Sequence, residues 1–301
     1  MKRREFLAGT AVAAGSFVIL GKGITAWSEV DAARRAKLER IAILSLCFNP
    51  VLKRAEHPDD ANRTLDILDL PAMVVARYGV RRVEFQHTDF ASTEDAYLAE
   101  FKHRMEQARA QFNQINLEFR ELNVSSPDPV LRAESVDLSK RWVDHAVRLG
   151  CPRVMVNPGR LEPEVRPAAF AALKAIAAYA KPKGVFITLE NKDNGNPRAP
   201  QASWQVVVEA IKAAGLWANP DVGNFPNEKE REAGLRVLYR LTAGSSHCHY
   251  DPAKYSEAMA IHISKEAGYT GIYAVEADAS INGPDPYASV KTILEELLRD
   301  I

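Results

Sequence analysis

Three observations predict that this 301-residue chain is an α/β protein folded as one single-domain (β/α)8 TIM barrel. The first is a run of short apolar stretches that each break off in a carboxylate or an imidazole: Val185-Phe186-Ile187-Thr188-Leu189 into Glu190, Leu216-Trp217-Ala218-Asn219-Pro220 into Asp221, Ser245-Ser246 into His247 and His249, and Ile272-Tyr273-Ala274-Val275 into Glu276. Buried parallel strands read this way where they deliver a side chain to a site. The second is their spacing, 31 residues from Glu190 to Asp221, 28 on to His249 and 27 on to Glu276, about one strand-plus-helix unit each time. The third is a matching repeat of glycines. Gly150, Gly184, Gly215, Gly244 and Gly268 lie 34, 31, 29 and 24 residues apart, and each falls where a helix-like segment gives way to a strand-like one.

In chain order, residues 1–26 read as a twin-arginine export signal, because Arg3 and Arg4 precede a mildly apolar run over residues 8–20. That run is shorter than the roughly 20 residues a membrane span needs, so the expected partner is the Tat export machinery, with no stable membrane insertion after export. Residues 38–301 then form the barrel. Strands are expected at residues 41–48, 82–86, 117–124, 153–157, 185–190, 216–221, 245–249 and 272–276. Pro71 suits the first turn of a helix that Gly79 ends. Gly79 to Gly150 is 71 residues, two units, the intervening helix ending at Asn113 or Asn116. Leu138, Trp142, Ala146 and Leu149 share one helical face, as do Ala169, Leu173, Ile176 and Ala180.

Hydrophobic residues make up 47% of the chain, enough for one large core, and 39 basic side chains balance 39 acidic ones. A neutral chain gives no basic groove for nucleic acid and no charge attraction to an anionic membrane. Cys47, Cys151 and Cys248 are an odd number beside expected strands, so buried free thiols are the expectation. A homo-oligomer is compatible with all of this.

Strand carboxyl ends in such a barrel open onto one face, where the active site lies. Two Glu, one Asp and a His gathered there without a cation would crowd like charges, and one divalent metal ion removes the conflict. His247 and His249 point the same way on a strand, so either can be the imidazole ligand while the other touches substrate or supports the site. Three oxygen donors with one nitrogen suit manganese first, with magnesium, cobalt or zinc as alternatives. At other strand ends, Glu84, His87, Asn123 and Asn157 are candidates for substrate hydroxyls, and Glu118 and Arg120 alternate so as to pair inside the barrel. Lys192, just past Glu190, can reach a substrate oxygen.

Leu189-Glu190-Asn191, Asp221-Val222-Gly223-Asn224-Phe225-Pro226, His247-Cys248-His249, and Gly268-Tyr269-Thr270-Gly271 leading to Glu276 together resemble the sugar phosphate isomerase/epimerase superfamily, the xylose-isomerase-like barrels. The resemblance implies Glu190, Asp221, His249 and Glu276 as ligands of one divalent cation, with His249 preferred to His247 on a gapless alignment from Leu241. It also implies Glu190 and Glu276 as the groups that move protons on a small carbohydrate substrate. Asn224 stands where many epimerases of the family carry a His, and Asp251 where many relatives carry a Lys. Both departures bear on the substrate class and not on the metal. Proton abstraction next to a carbonyl gives an isomerase or epimerase, and loss of a β-substituent would give a keto-glycoside lyase or dehydratase on the same site. Among rivals, an abasic-site endonuclease would want more metal ligands and a basic groove. A retaining glycosidase would usually place a carboxylate after strand four, where this chain has Asn157-Pro158-Gly159. A non-catalytic sugar-binding barrel would have no use for the pair Glu190 and Glu276.

Overall fold

Strand and helix alternate along the chain in the computed structural model, which describes residues 32–119 and 122–301. The strands are β1 Ile41–Leu44, β2 Arg82–Gln86, β3 Gln111–Leu117, β4 Arg153–Val156, β5 Phe186–Glu190, β6 Trp217–Asn219, β7 Ser245–Cys248 and β8 Ile272–Val275. Between and after them come α1 Leu70–Tyr78, α2 Asp95–Gln107, α3 Pro129–Leu149, α4 Arg166–Ala180, α5 Trp204–Ala214, α6 Glu228–Leu238, α7 Glu257–Glu266, α8 Ala279–Asn282 and α9 Pro286–Asp300. Residues 37–301 form one compact unit, and residues 32–36, outside that unit, are helical. The expected export segment at residues 1–26 lies outside the described residues, as does Arg120. Among the described residues no helix is long and apolar enough to cross a membrane.

All strand pairs are parallel, in the order β6-β5-β4-β3-β2-β1-β8-β7. The seam between β6 and β7 is closed by two single bridges, Ala218 to Thr242 and Asp221 to His247, and by the His247 amide donating to the Pro220 carbonyl at 2.8 Å. That seam fixes the height of Asp221 against His247. Local signals agree with the global plan. Asp128 accepts from the Val130 amide ahead of Pro129 to start α3, and Gly150, at φ 74°, ends it. Asn227 and Ser256 cap α6 and α7 in the same way. The four residues each of β1 and β8 are fully buried, as parallel strands covered on both faces must be. Outside β2 and β3, Phe85, Phe90, Phe101 and Phe112 form one aromatic cluster, with Phe85 and Phe101 meeting edge to face at 5.0 Å.

Two strands depart from expectation by more than two residues at a boundary. β1 stops at Leu44, and Ser45–Phe48 turn as a 3₁₀ helix while the Ser45 hydroxyl bonds Asp89 and receives the Gln86 amide at 3.2 Å. More consequentially, the third strand spans Gln111–Leu117 instead of residues 117–124. Its inward side chains are polar, which hid it: Asn113 donates to Glu84 and Ser245, and Thr188 donates to the Gln114 side-chain oxygen Oε1 at 3.1 Å. The preceding helix ends at Gln107 and the chain turns out of it through Arg109, a non-glycine residue at φ 54°, so no glycine marks the boundary. Cys47, Cys151 and Cys248 are buried free thiols, and burial pushes Cys47 and Cys151 up to about 12.

One buried carboxyl lies away from the strand ends. Glu257, in the first turn of α7, is 6% exposed, and neither of its carboxylate oxygens has a hydrogen-bond partner. Burial, with Asp300 adding to it, pushes its pKa up to about 8. Between the ordinary carboxylate range and pH 8 the folded state therefore binds a proton that the unfolded chain has released, so stability falls as pH rises through that window. Glu257→Gln should melt higher than wild type at pH 8–9 and match it near pH 4. Parallel melting curves over that range check this, and equal differences at both ends would rule it out.

Candidate active site

Four side chains converge at the carboxyl ends of β5 to β8. One ligand-type atom from each of Glu190, Asp221, His247 and Glu276 can be chosen so that all lie within 4.8 Å of one another. His247 is the hub. Its Nδ1 is 2.7 Å from Glu190 Oε1, 3.1 Å from Glu276 Oε2 and 4.0 Å from Asp221 Oδ2. On its other edge Nε2 donates to Glu84 Oε2 at 3.0 Å. Glu84 is completely buried and is held in turn by Asn113 and by the Ser245 hydroxyl at 2.9 Å. A metal-binding His is commonly oriented by such a carboxylate on its far nitrogen.

His249 sits higher, toward the mouth. Its Nε2 meets Asp221 Oδ2 at 2.9 Å and Glu276 Oε2 at 3.5 Å. Gly223 gives it room, since a β-carbon there would lie 2.9 Å from His249 Cδ2. Asp221 is held by the polypeptide itself: Oδ1 accepts the amides of Gly223 at 2.7 Å and Asn224 at 3.0 Å, and Oδ2 accepts from Asn224 Nδ2 at 2.9 Å. Asn191 fastens β5 to β6 by accepting the Asp221 amide and donating to the Asp221 carbonyl, both at 2.9 Å.

The charges are coupled. Burial works against the charge on His247, but Glu190 and Glu84 hold its pKa well above the usual range. His249 likewise resists burial under the pull of Asp221 and Glu276, reaching about 10. Burial raises Asp221 to about 6 against the pull of His249. Burial would raise Glu190 too, yet Lys192 and His247 hold it below the usual carboxylate range. Without a metal, then, imidazolium protons supply the positive charge that three clustered carboxylates require. A divalent cation could replace the proton on His247 Nδ1 and leave the Nε2 bond to Glu84 intact. The donor set of three carboxylates and one imidazole fits a hard divalent cation.

A family model described as xylose isomerase-like TIM barrel matches residues 73–297, three quarters of the chain. The chain belongs to the xylose isomerase-like TIM barrel family. Similar solved structures include D-allulose 3-epimerase from Methylomonas sp., 17% identical over 87% of this chain and 98% of that one, with a TM-score of 0.68. L-ribulose 3-epimerase is 17% identical over 86% and 96%, with a TM-score of 0.63. A xylose isomerase-like TIM barrel protein from Mycobacterium smegmatis, solved in complex with magnesium, is 19% identical over 88% and 97%, with a TM-score of 0.62. None of the curated protein sequences compared with the chain matches it.

In this xylose isomerase-like barrel the remaining expected residues fall into two places. Glu84 lies beneath the cluster as the partner of His247, and Asn224 braces Asp221. Lys192 and Asn157 lie at the side of the mouth, joined through Glu118: Lys192 Nζ is 2.8 Å from Glu190 Oε2 and 2.6 Å from Glu118 Oε1, and Asn157 Nδ2 donates to Glu118 Oε2 at 2.9 Å. Burial would lower the Lys192 pKa, but Glu190 and Glu118 raise it, so the ammonium stays charged. A cavity of about 440 Å³ opens above the cluster, with Glu118, Lys192, Glu190, His247, Glu276 and Arg54 in its wall. Arg54 was not singled out from the sequence. It lies in the loop after β1, fixed by Asp89 at 2.6 Å and Asn49 at 2.7 Å, and no local pattern marks a lone loop arginine. His87 packs edge-on against Phe119 and Trp142, where burial lowers its pKa, and lines a neighbouring cavity together with Arg54 and Glu118.

Proposed function

We propose that the protein is a divalent-metal-dependent isomerase or epimerase that moves a proton on the carbon next to the carbonyl of a sugar. The observation that carries this reading is the pair Glu190 and Glu276, both within reach of His247 Nδ1, at 2.7 and 3.1 Å, and both lining a cavity sized for a small sugar. Family membership supports it, as do structural neighbours that are sugar 3-epimerases.

Glu190, Asp221, His247 and Glu276 would hold the cation, manganese by preference, and it would supply polarisation of the substrate carbonyl. We take His247 in place of His249 as the imidazole ligand, because its ring faces all three carboxylates and has Glu84 behind it. His249 then stands over Asp221 and Glu276, beside the substrate. One Glu removes the proton from one face of the sugar carbon, and the other delivers a proton to the opposite face or to the neighbouring carbon. Lys192 offers three N–H donors, two of them engaged by Glu190 and Glu118, and directs the third at a substrate oxygen. The test is exchange: metal-loaded protein incubated with ketoses in deuterated water should wash out the C–H signal beside the carbonyl. Absence of exchange across a panel of ketohexoses and ketopentoses would refute the reading.

We further infer that the folded barrel is exported through the twin-arginine route, on the strength of Arg3 and Arg4 ahead of the apolar run. Replacing both with lysine should leave full-length protein in the cytoplasm. Wild-type protein found wholly in the cytoplasm with an intact amino terminus would overturn this.

A further inference from the structure

We infer that the substrate is a sugar whose reacting unit carries a second sugar ring, and that this second ring occupies a cavity beside the carboxylate cluster. The inference rests on the proton-transfer reading above and adds to it the class of substrate. The cavity measures about 820 Å³, nearly twice the volume above the cluster, and it is walled by the loops after β3 and β4 with Gln201 from the loop after β5. The two spaces share a partition made of one hydrogen-bonded row. Glu190 contacts Lys192 at 2.8 Å, Lys192 contacts Glu118 at 2.6 Å, and Glu118 accepts from Asn157, a wall residue of the larger cavity, at 2.9 Å. A sugar unit seated over Glu190 and Glu276 would pass its linkage over this row to place the next unit beside Asn157.

The chemistry of the wall suits a pyranose, which shows a C–H face and a hydroxyl rim. Phe119, Leu122 and Leu131 supply apolar surface, while Asn157, Arg160 and Gln201 supply donors and acceptors. The wall is also built stiffly. Gly159 has φ 70° and packs so closely that a β-carbon there would lie 2.0 Å from Ser125 Oγ and 2.8 Å from Asn123 Oδ1. Two residues on, Leu161 adopts φ 51°, a conformation disfavoured for a side chain, and is held there by complete burial and by its carbonyl accepting Arg166 Nε at 2.8 Å. A loop fixed at such cost in local conformation, with Asn157 also accepting the Gly159 amide at 2.9 Å, presents Asn157 in one arrangement, the condition for a ligand subsite in place of a mobile rim.

The experiment compares monosaccharide ketoses (D-fructose, D-allulose) with glycosyl-ketose disaccharides (lactulose, isomaltulose) on manganese-loaded wild-type protein, Leu131→Trp, which fills the cavity, and Gln201→Ala, which keeps its shape. The ratio of kcat/KM for disaccharide over monosaccharide should exceed about ten in wild type and fall by at least about tenfold in Leu131→Trp. Gln201→Ala should lower the same ratio and keeps the test alive if the tryptophan variant fails to fold. Equal kcat/KM for both sugar classes in wild type, or a ratio unmoved by both variants, overturns the second-ring site. If no sugar is turned over, calorimetry decides: disaccharide binding that both variants weaken retains the site and removes the proton-transfer reading, and absence of disaccharide binding removes the site.

Discussion

His247→Ala should leave a folded barrel that no longer retains a divalent cation, while His249→Ala should keep it with affinity reduced about 10–100-fold, the range for groups that orient a ligand without being one. The difference follows from position. His247 Nδ1 faces Glu190, Glu276 and Asp221, and its Nε2 is anchored on Glu84. His249 reaches the cluster only through Asp221 and Glu276 from above. Removing His247 takes away the lone nitrogen donor of the set and leaves Glu84 buried without its imidazole partner, so both metal affinity and stability should drop. Metal binding only to the folded state also stabilises by about 2.7 kcal/mol when the free ion stands at 100 times its dissociation constant, so chelation should lower the wild-type melting temperature and barely move that of His247→Ala. Metal content after gel filtration and melting with and without chelator test this. If His249→Ala loses the metal and His247→Ala retains it, the ligand is the upper histidine and the role of Glu84 as its support disappears.

The second large effect concerns proton transfer. Glu190→Gln and Glu276→Gln, assayed at saturating manganese, should each lose net turnover by about 10²–10⁴-fold, the usual worth of a positioned acid or base. They should differ in exchange. From one epimer, the variant that keeps the Glu facing the departing proton still removes and returns it, so solvent deuterium enters the substrate without product. From the opposite epimer the pattern inverts. Two separate groups on opposite faces require this crossover, whereas a single group doing both jobs would make one variant inert from both sides and leave the other nearly intact. Deuterium incorporation followed by proton NMR distinguishes the two, and net turnover within about tenfold of wild type in both variants would remove the two Glu from the chemistry.

Much of this molecule could be read from its residues in order. Apolar runs that end in Glu190, Asp221 and Glu276 announce buried strands with a charged delivery, because a parallel strand covered on both faces is apolar along its length and most readily accommodates a carboxylate where it leaves the sheet. Glycines after α3 and α5 mark helix ends because the left-handed turn needed there excludes most side chains. Where those local signals are missing, the residues in order do not mark the element. β3 carries Asn113, Gln114 and Asn116 into the barrel, so it lacks apolar alternation, and Arg109 takes the turn that a glycine would have flagged.

What tertiary structure alone decided is depth and partnership. Period-two alternation puts His247 and His249 on one face of β7, and no feature of that strand by itself says which imidazole is level with the carboxylates. The bridge from Asp221 to His247 across the barrel seam sets the level, and Glu84, on a strand 163 residues earlier in sequence, completes it. The row from Glu190 through Lys192 and Glu118 to Asn157 draws on three different strand ends in the same way. Local chain chemistry chose the residue types and the strand ends. Closure of eight strands into one barrel chose which of those side chains share a charge, because that depends on inter-strand register, a property of the closed sheet that no single stretch of sequence carries.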